Sequence, residues 1–409
     1  MKKELKVFDS SIDSGFKIIF NLNNSMSLKY NSKDFNSVEY MLSDPSINDI
    51  LIKPKNPFKL TFYEKSVLNV TIMLTLDCNF RCPYCFETLK KENISNKLQN
   101  IVHFITNFLV DNDIKHLNIN WFGGEPLLEI LNIEKVYNSI YPLCKLKGIS
   151  YDSTITTNGY LLSKHIYKKL KNMQVSTFQI TIDGIEQIHN KYRYLINGKG
   201  TFNKIVTNLL TILEDDTSDT TFVIRTNCSD DTLDYMPEYF DFFINKFGGY
   251  NNVMADFHQV TNFSNNCKSE VQDTKKIIDL INDFVSIGGN HVPILWRLYS
   301  KNGCLAFDKN CFVIYPNGKI SKCSVDSDSI RVKLGFVDDY LSVKNANDNI
   351  VFSEYEECQE CEFSPFCENG DCLIYEELNK KPRCVFFKDF FDIIIEILEK
   401  QDLIDYTLE

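Results

Sequence analysis

The stretch CNFRCPYCFE, residues Cys78 to Glu87, carries three cysteines: Cys78, Cys82 and Cys85, with three and then two residues between them. A loop of that length can wrap three thiolates around one iron–sulfur cube. A [4Fe–4S] cube has four irons and is normally held by four thiolates, so three leave one iron open to chelate a small molecule. An open iron implies chemistry rather than electron storage. The competing readings are a zinc knuckle and a disulfide pair. Zinc takes four ligands, commonly as two CxxC pairs, and no histidine stands near this loop.

Around this loop, short apolar runs alternate with helical patterns from residue 69 to 260. Strands are expected at 69–75, 116–122, 152–157, 178–184, 220–227 and 253–260. Helical periodicity falls near 93–111, 133–146, 163–172, 201–214 and 233–246. Such alternation implies parallel strands joined by crossover helices, an α/β class. Six units suit a partial (β/α)6 TIM-like barrel. The cysteine loop and the runs at 121–126, 154–159 and 181–184 then fall at the carboxyl ends of strands, where barrel active sites lie.

The cysteine triplet resembles that of the radical S-adenosylmethionine (SAM) superfamily, which carries it after the first barrel strand. The likeness continues in order. Trp121-Phe122-Gly123-Gly124-Glu125-Pro126 is similar to the family's GGEP segment, which contacts the methionyl amino group. Thr154 and the run from Thr156 through Asn158 to Gly159 match the third-strand region, and Thr181-Ile182-Asp183-Gly184 matches the fourth. Arg193 falls where relatives hold the SAM carboxylate, and Tyr84 matches the position that leans on adenine. The resemblance implies a SAM-binding [4Fe–4S] cluster on Cys78, Cys82 and Cys85. It also implies cleavage of SAM to methionine and a 5′-deoxyadenosyl radical.

After residue 295 the texture changes: turn residues rise and eight cysteines arrive, Cys304, Cys311, Cys323, Cys358, Cys361, Cys367, Cys372 and Cys384. A loop-rich segment buries little apolar surface, so ligation must fix its shape. These cysteines, with Gly318 before Cys323, resemble the SPASM domain, a cysteine-rich, loop-rich extension with two auxiliary [4Fe–4S] clusters. By that likeness Cys304, Cys323 and Cys372 hold the nearer cluster, with Cys311 the best fourth ligand. Cys358, Cys361, Cys367 and Cys384 hold the outer one, making three clusters in all. The family usually leaves three residues between the cysteines matching Cys367 and Cys372; here there are four. The alternative is structural zinc on Cys358, Cys361, Cys367 and Cys372. Cys144, Cys228 and Cys267 read as core or surface thiols.

The expected organisation is an N-terminal region at 1–66, a barrel at 67–295, a SPASM domain at 296–385 and a terminal helix at 386–409. Residues 1–66 read as a pair of strands and a short helix around Val38 to Leu42, either a lid or a trimmed leader-binding module. The amphipathic helix at 386–400 is expected to cover an open barrel end.

Of 409 residues, 44 are Lys or Arg and 55 Asp or Glu, for a formal net charge of −11, which argues against a nucleic-acid partner. No run approaches a membrane span, and the N-terminus lacks the pattern of a signal peptide. Fourteen cysteines without an export signal suggest a reducing, cytoplasmic setting.

SPASM enzymes act mostly on peptides, so the implied partners are a precursor peptide and an electron donor such as flavodoxin or ferredoxin. CPYCFE with Glu87 and WFGGEPLL look like maturases of ribosomally made peptides, which form thioether or carbon–carbon crosslinks. Sulfatase-maturating enzymes are the alternative. They typically place an aspartate base where this chain has Ser324 and a glutamine where it has Phe122, and serine is a poor base at neutral pH. Readings from other classes are a non-catalytic iron–sulfur electron carrier and a zinc-dependent interaction module. Neither explains the SAM-type motifs.

Overall fold

A computed structural model describes residues 5–22, 26–34, 44–45, 47, 66–215, 220–260, 274–292, 306, 308–325, 333–349 and 391–408. Cys267, Cys304, Cys358, Cys361, Cys367, Cys372, Cys384 and the helix expected at Val38 to Leu42 lie outside them. The chain divides into two units by its internal contacts.

The larger unit is built on six parallel strands paired in chain order: β1 Val67–Met73, β2 His116–Phe122, β3 Ser150–Thr157, β4 Val175–Thr181, β5 Thr221–Cys228 and β6 Val253–Gln259. Between them run α1 Leu98–Asp111, α2 Ile130–Lys147, α3 Lys164–Asn172, α4 Glu186–Tyr192, α5 Phe202–Leu213 and α6 Met236–Phe247. This is the parallel βα architecture expected from the alternation. Strand parity explains both its core and its cavity. In β2 the residues Leu117, Ile119 and Trp121 are fully buried, while the alternate positions Asn118, Asn120 and Phe122 are half-buried. The second set is continued by Thr154 and Thr156 on β3 and Gln179 and Thr181 on β4. Apolar side chains pack one face against helices and leave the other face polar.

Two strand ends differ from expectation for local reasons. Past the end of β1, Leu74 N still donates to Phe122 O (3.0 Å), but Thr75 faces Asn93 in an isolated antiparallel bridge, flanked by Leu76 N to Glu92 O (2.9 Å) and Ile94 N to Leu74 O (3.0 Å). β4 stops at Thr181 because Gly184, at φ +100°, turns the chain into α4.

A segment expected to be loop-rich instead adds three strands beside β1. β7 Cys311–Ile314 pairs parallel with β1, and β8 Lys319–Ser321 and β9 Lys333–Phe336 follow antiparallel. A helix, α7 Tyr340–Asp348, follows, capped by Asp339 accepting from Ser342 N (3.0 Å). Phe312 on β7 is fully buried and meets Phe104 and Phe108 of α1 edge-on, at 5.5 and 5.1 Å between ring centroids.

In the other unit, strands Leu5–Asp9, Phe16–Asn21 and Met26–Asn31 form an antiparallel sheet, and the last strand, Tyr406–Leu408, adds in parallel to Met26–Asn31. The expected strand pair is thus part of a four-stranded sheet. Helix Phe391–Lys400 packs through Phe391 on Phe8 and Phe20. Its buried Glu399 accepts from Ser10 Oγ (2.5 Å), Ser11 N (2.8 Å) and Lys29 Nζ (2.6 Å). Burial opposes the Glu399 charge, but these donors outweigh it and hold the carboxyl below its ordinary range. Lys400 Nζ reaches Asn282 and Ser286 of helix Thr274–Ser286. No helix among the described residues is long and apolar enough to cross a membrane.

Phe312 is the ring that joins β7 to α1. Phe312→Ala should destabilise the larger unit by about 3–5 kcal/mol in denaturant unfolding. A loss below about 1 kcal/mol would contradict this packing.

Candidate functional site

The site begins with a close approach of two backbones at the carboxyl ends of β1 and β2. Gly124 N donates to Thr75 O (2.8 Å) and Glu125 N to Asp77 O (2.9 Å). A β-carbon on Gly124 would stand 2.7 Å from the Asp77 carbonyl carbon, and one on Gly123 would overlap the Thr75 carbonyl. Gly123 also sits at φ +122°, which side-chain-bearing residues avoid. Only glycines allow this segment to press on the residues that lead into Cys78.

Glu125 holds the next corner. It is fully buried and accepts from Leu127 N (3.0 Å), Thr157 Oγ1 (2.6 Å) and Asn158 N (2.8 Å). Burial pushes its carboxyl up, and these donors oppose the rise. Pro126 is buried and opens the short helix Pro126–Glu129. Asn158 Nδ2 donates to Asn79 Oδ1 (2.7 Å), tying the β3 end to the cysteine loop.

Cys78, Cys82 and Cys85 are free thiols on partly exposed side chains. Phe80 N donates to Cys78 Sγ (3.3 Å) and Cys85 N to Cys82 O (3.1 Å), which folds the loop back on itself. Burial pushes the Cys78 thiol up to about 12, with Glu125 and the other two cysteines adding to it. Burial likewise pushes Cys82 up to about 11, against the pull of Arg193, and raises Cys85. Three thiolates gathered here therefore need a cationic centre between them. That requirement, the spacing and the free state of the thiols fit an iron–sulfur cube. Among the described residues no three His, Cys, Asp or Glu close on a point as ligands of one metal ion. A cube spreads its thiolates over separate irons, so the donor set still fits it.

Beside the loop lies a cavity of about 390 Å³. Its wall includes Tyr84, Cys85 and Glu87 of the loop, and Phe122, Gly123 and Gly124 of β2. It continues over Thr156, Gln179 and Thr181, then Arg193, Arg225 and Asn227, then His258 and Gln259, and ends at Ser324 and Val325. The wall on β2 to β4 is the polar parity of the strands. Met73, Leu76, Val313 and Tyr315 form the apolar cluster on which Phe122 rests.

On one side, the half-buried Tyr84 joins the buried Asp183 and Arg193 in a triad. Tyr84 OH donates to Asp183 Oδ2 and accepts from Arg193 Nη1 (2.7 Å), and Arg193 Nη1 stands 3.9 Å from Asp183 Oδ2. Asn227 donates to Asp183 Oδ1 through its backbone N (2.8 Å) and through Nδ2 (3.2 Å). Burial alone would disfavour the Arg193 charge, but Tyr84, Cys82 and Asp183 outweigh it. Arg193 Nε is buried without a protein partner, and its guanidinium lies 5.5 Å from the Phe80 ring centroid. A buried cation with an unused donor beside a cavity suits an anionic ligand group such as a carboxylate.

Of the residues chosen from sequence, Tyr84, Cys85, Gly123, Gly124, Thr181 and Arg193 meet at one cavity. Cys78, Cys82, Glu125, Pro126, Asn158 and Asp183 lie outside its wall. Thr154 sits two residues deeper on β3 than Thr156, which lines the cavity instead. Cys311 is buried at the start of β7. Cys323 is half-buried and accepts from Val325 N (3.4 Å), one residue from Ser324. Sequence reasoning did not single out Gln179, Arg225, Asn227, His258 or Gln259. Asn227, His258 and Gln259 all stand at the carboxyl ends of expected strands, the signal that would have found them.

Residues 72–243 match the Radical SAM superfamily. A cysteine-type anaerobic sulfatase-maturating enzyme of Clostridium novyi is 26% identical over 362 residues, which span 77% of this chain and 92% of that protein. Among solved structures, anSMEcpe with bound S-adenosylmethionine (AdoMet) and the Kp18Cys peptide matches with a TM-score of 0.61 and 19% identity, over 82% of this chain and 97% of that one. Streptococcus suis SuiB bound to its precursor peptide SuiA matches with a TM-score of 0.56 and 13% identity, over 95% of this chain and 98% of that one. At these identities the structures speak for the fold. Together with the cysteine triplet and the motifs ranged behind it, that match shows residues 72–243 to be a radical SAM domain.

Proposed function

We propose that this enzyme modifies a ribosomally made peptide, forming a thioether or carbon–carbon crosslink. The observation that carries this reading is the cavity wall, where Phe122 and Ser324 both face the space beside the cysteine loop. Sulfatase maturases, by resemblance, use a glutamine and an aspartate at those positions, and the aspartate takes a proton. A phenyl ring and a hydroxyl offer no such base at neutral pH. The solved relatives whose names include a bound peptide share this fold, which fits a peptide partner.

Cys78, Cys82 and Cys85 would hold the SAM-binding [4Fe–4S] cluster, and when bound it supplies the electron that splits the sulfonium and yields a 5′-deoxyadenosyl radical. The chain's own residues bind, orient and exclude. Gly123 and Gly124 would let the methionyl end approach the backbone, Arg193 would receive its carboxylate, and Tyr84 would lean on the adenine. Thr156, Gln179 and Thr181 form the polar wall that aligns the reacting C–H bond, and the walled cavity keeps solvent thiols from the radical. Cys304, Cys311, Cys323 and Cys372, and then Cys358, Cys361, Cys367 and Cys384, would hold two auxiliary clusters. The electron donor would be a flavodoxin or ferredoxin.

The second reading is sulfatase maturation, favoured by the 26% identity to the Clostridium novyi enzyme across most of both chains. The two differ at Ser324. In the crosslinking reading, Ser324→Ala should retain peptide turnover within about threefold, and loss of turnover by two orders of magnitude would restore a proton-transfer role there. Replacing Cys78, Cys82 and Cys85 together by alanine should abolish 5′-deoxyadenosine formation, followed by anaerobic chromatography. Persistence of that product would overturn the assignment of the site.

A further inference from the structure

His189 is fully buried on α4, four residues before Arg193, and does not line the cavity. Its Nδ1 lies 3.2 Å from Asp183 N. A backbone amide can only donate, so Nδ1 is the bare nitrogen and the proton sits on Nε2. Nε2 then donates to Thr201 Oγ1 (3.0 Å), and Thr201 Oγ1 passes its own hydrogen to Arg193 O (2.7 Å). Burial and the nearby Arg193 charge push the ring's pKa well below its ordinary value, which keeps this tautomer neutral.

The ring therefore bridges the two residues whose side chains converge on Tyr84. One nitrogen holds the backbone of Asp183 and the other, through one hydroxyl, holds the backbone of Arg193. Thr201 is itself fixed, because Asn190 Oδ1 accepts from Thr201 N (2.7 Å) and Phe202 N (3.0 Å). The Phe202 ring meets the imidazole at 5.5 Å, 67° from parallel, and limits its rotation. A second strand of the same brace runs through the helix, where Arg193 N donates to His189 O (2.7 Å).

We propose that His189 is a positioning residue for SAM binding: through Asp183 N on one side and Thr201 on the other, it sets where the Arg193 guanidinium stands against the cofactor's carboxylate. This rests on the reading of Arg193 given above. Binding of SAM to the anaerobically reconstituted enzyme tests it. The wild type must bind SAM; if it does not, the functional reading falls, whatever His189 does. Given wild-type binding, His189→Phe should weaken SAM affinity by about tenfold, as loss of an orienting partner typically does. His189→Gln, which can still reach Thr201, should recover part of that loss. Thr201→Val cuts the same path while leaving the ring in place and should weaken binding as His189→Phe does, so the test stands even if the Phe variant does not fold.

A role confined to stability would act independently of Arg193. The double variant His189→Phe/Arg193→Lys, or Thr201→Val/Arg193→Lys, should therefore bind no more weakly than Arg193→Lys alone. Fully additive losses, or unchanged SAM affinity in both Thr201→Val and a folded His189 variant, would overturn the proposal while leaving the functional reading intact.

Discussion

Everything at this site depends on the contact between Gly123–Gly124 and the backbone of Thr75 to Asp77. Two carbonyls accept from two amides at a separation that leaves no room for a β-carbon. One edge of that contact is the cavity wall; the other leads within one residue to Cys78. The position of the thiolate loop is thus locked to the surface on which a small cosubstrate would lie. Glu125 extends the lock to β3 through Thr157 and Asn158, and Asn158 returns to the loop at Asn79. Its buried carboxylate is fully engaged by donors of its own chain, so it acts as a bracket for the backbone around it.

The second constraint is the parity of the strands. A barrel whose interior positions were leucine and valine would be filled by its own side chains. Here those positions are Asn118, Asn120, Thr154, Thr156, Gln179 and Arg225, short of apolar volume but rich in hydrogen-bonding groups. The result is a walled space instead of a packed core. Its two flanks differ: Phe122 on its apolar base and Ser324 near Cys323 mark one side, and the Tyr84–Asp183–Arg193 triad the other. A reactive carbon radical needs both a rigid neighbour and a shield, and this division supplies each from a different part of the sheet.

Much of this could be read from the chain. Periodicity located all six parallel strands, and the three-residue and two-residue gaps between cysteines singled out the loop that borders the cavity. The strand ends differed where other local geometry met the ladder. Leu74, Thr75 and Ile182 keep a bond to the neighbouring strand or its extension, but Thr75 also bridges Asn93 and Gly184 turns the chain away after Ile182. Strands at Cys311–Ile314 and Lys319–Ser321 were hidden because CFVI and KIS are too short to show a period of two, and the pairing of the first with β1 crosses more than two hundred residues. His189 gave no sign in the sequence, since a buried imidazole that braces two backbones resembles any core histidine. The cysteines from 358 to 384 stay an expectation carried by resemblance.

The proposed centre is a cube gripped by three thiolates with its fourth iron free for SAM. Electron paramagnetic resonance of the reduced, reconstituted enzyme, recorded before and after adding SAM, tests it directly. SAM should change the signal of the cluster that Cys78, Cys82 and Cys85 would hold, and this change should vanish when the three are replaced by alanine. An identical spectrum with and without SAM would contradict it.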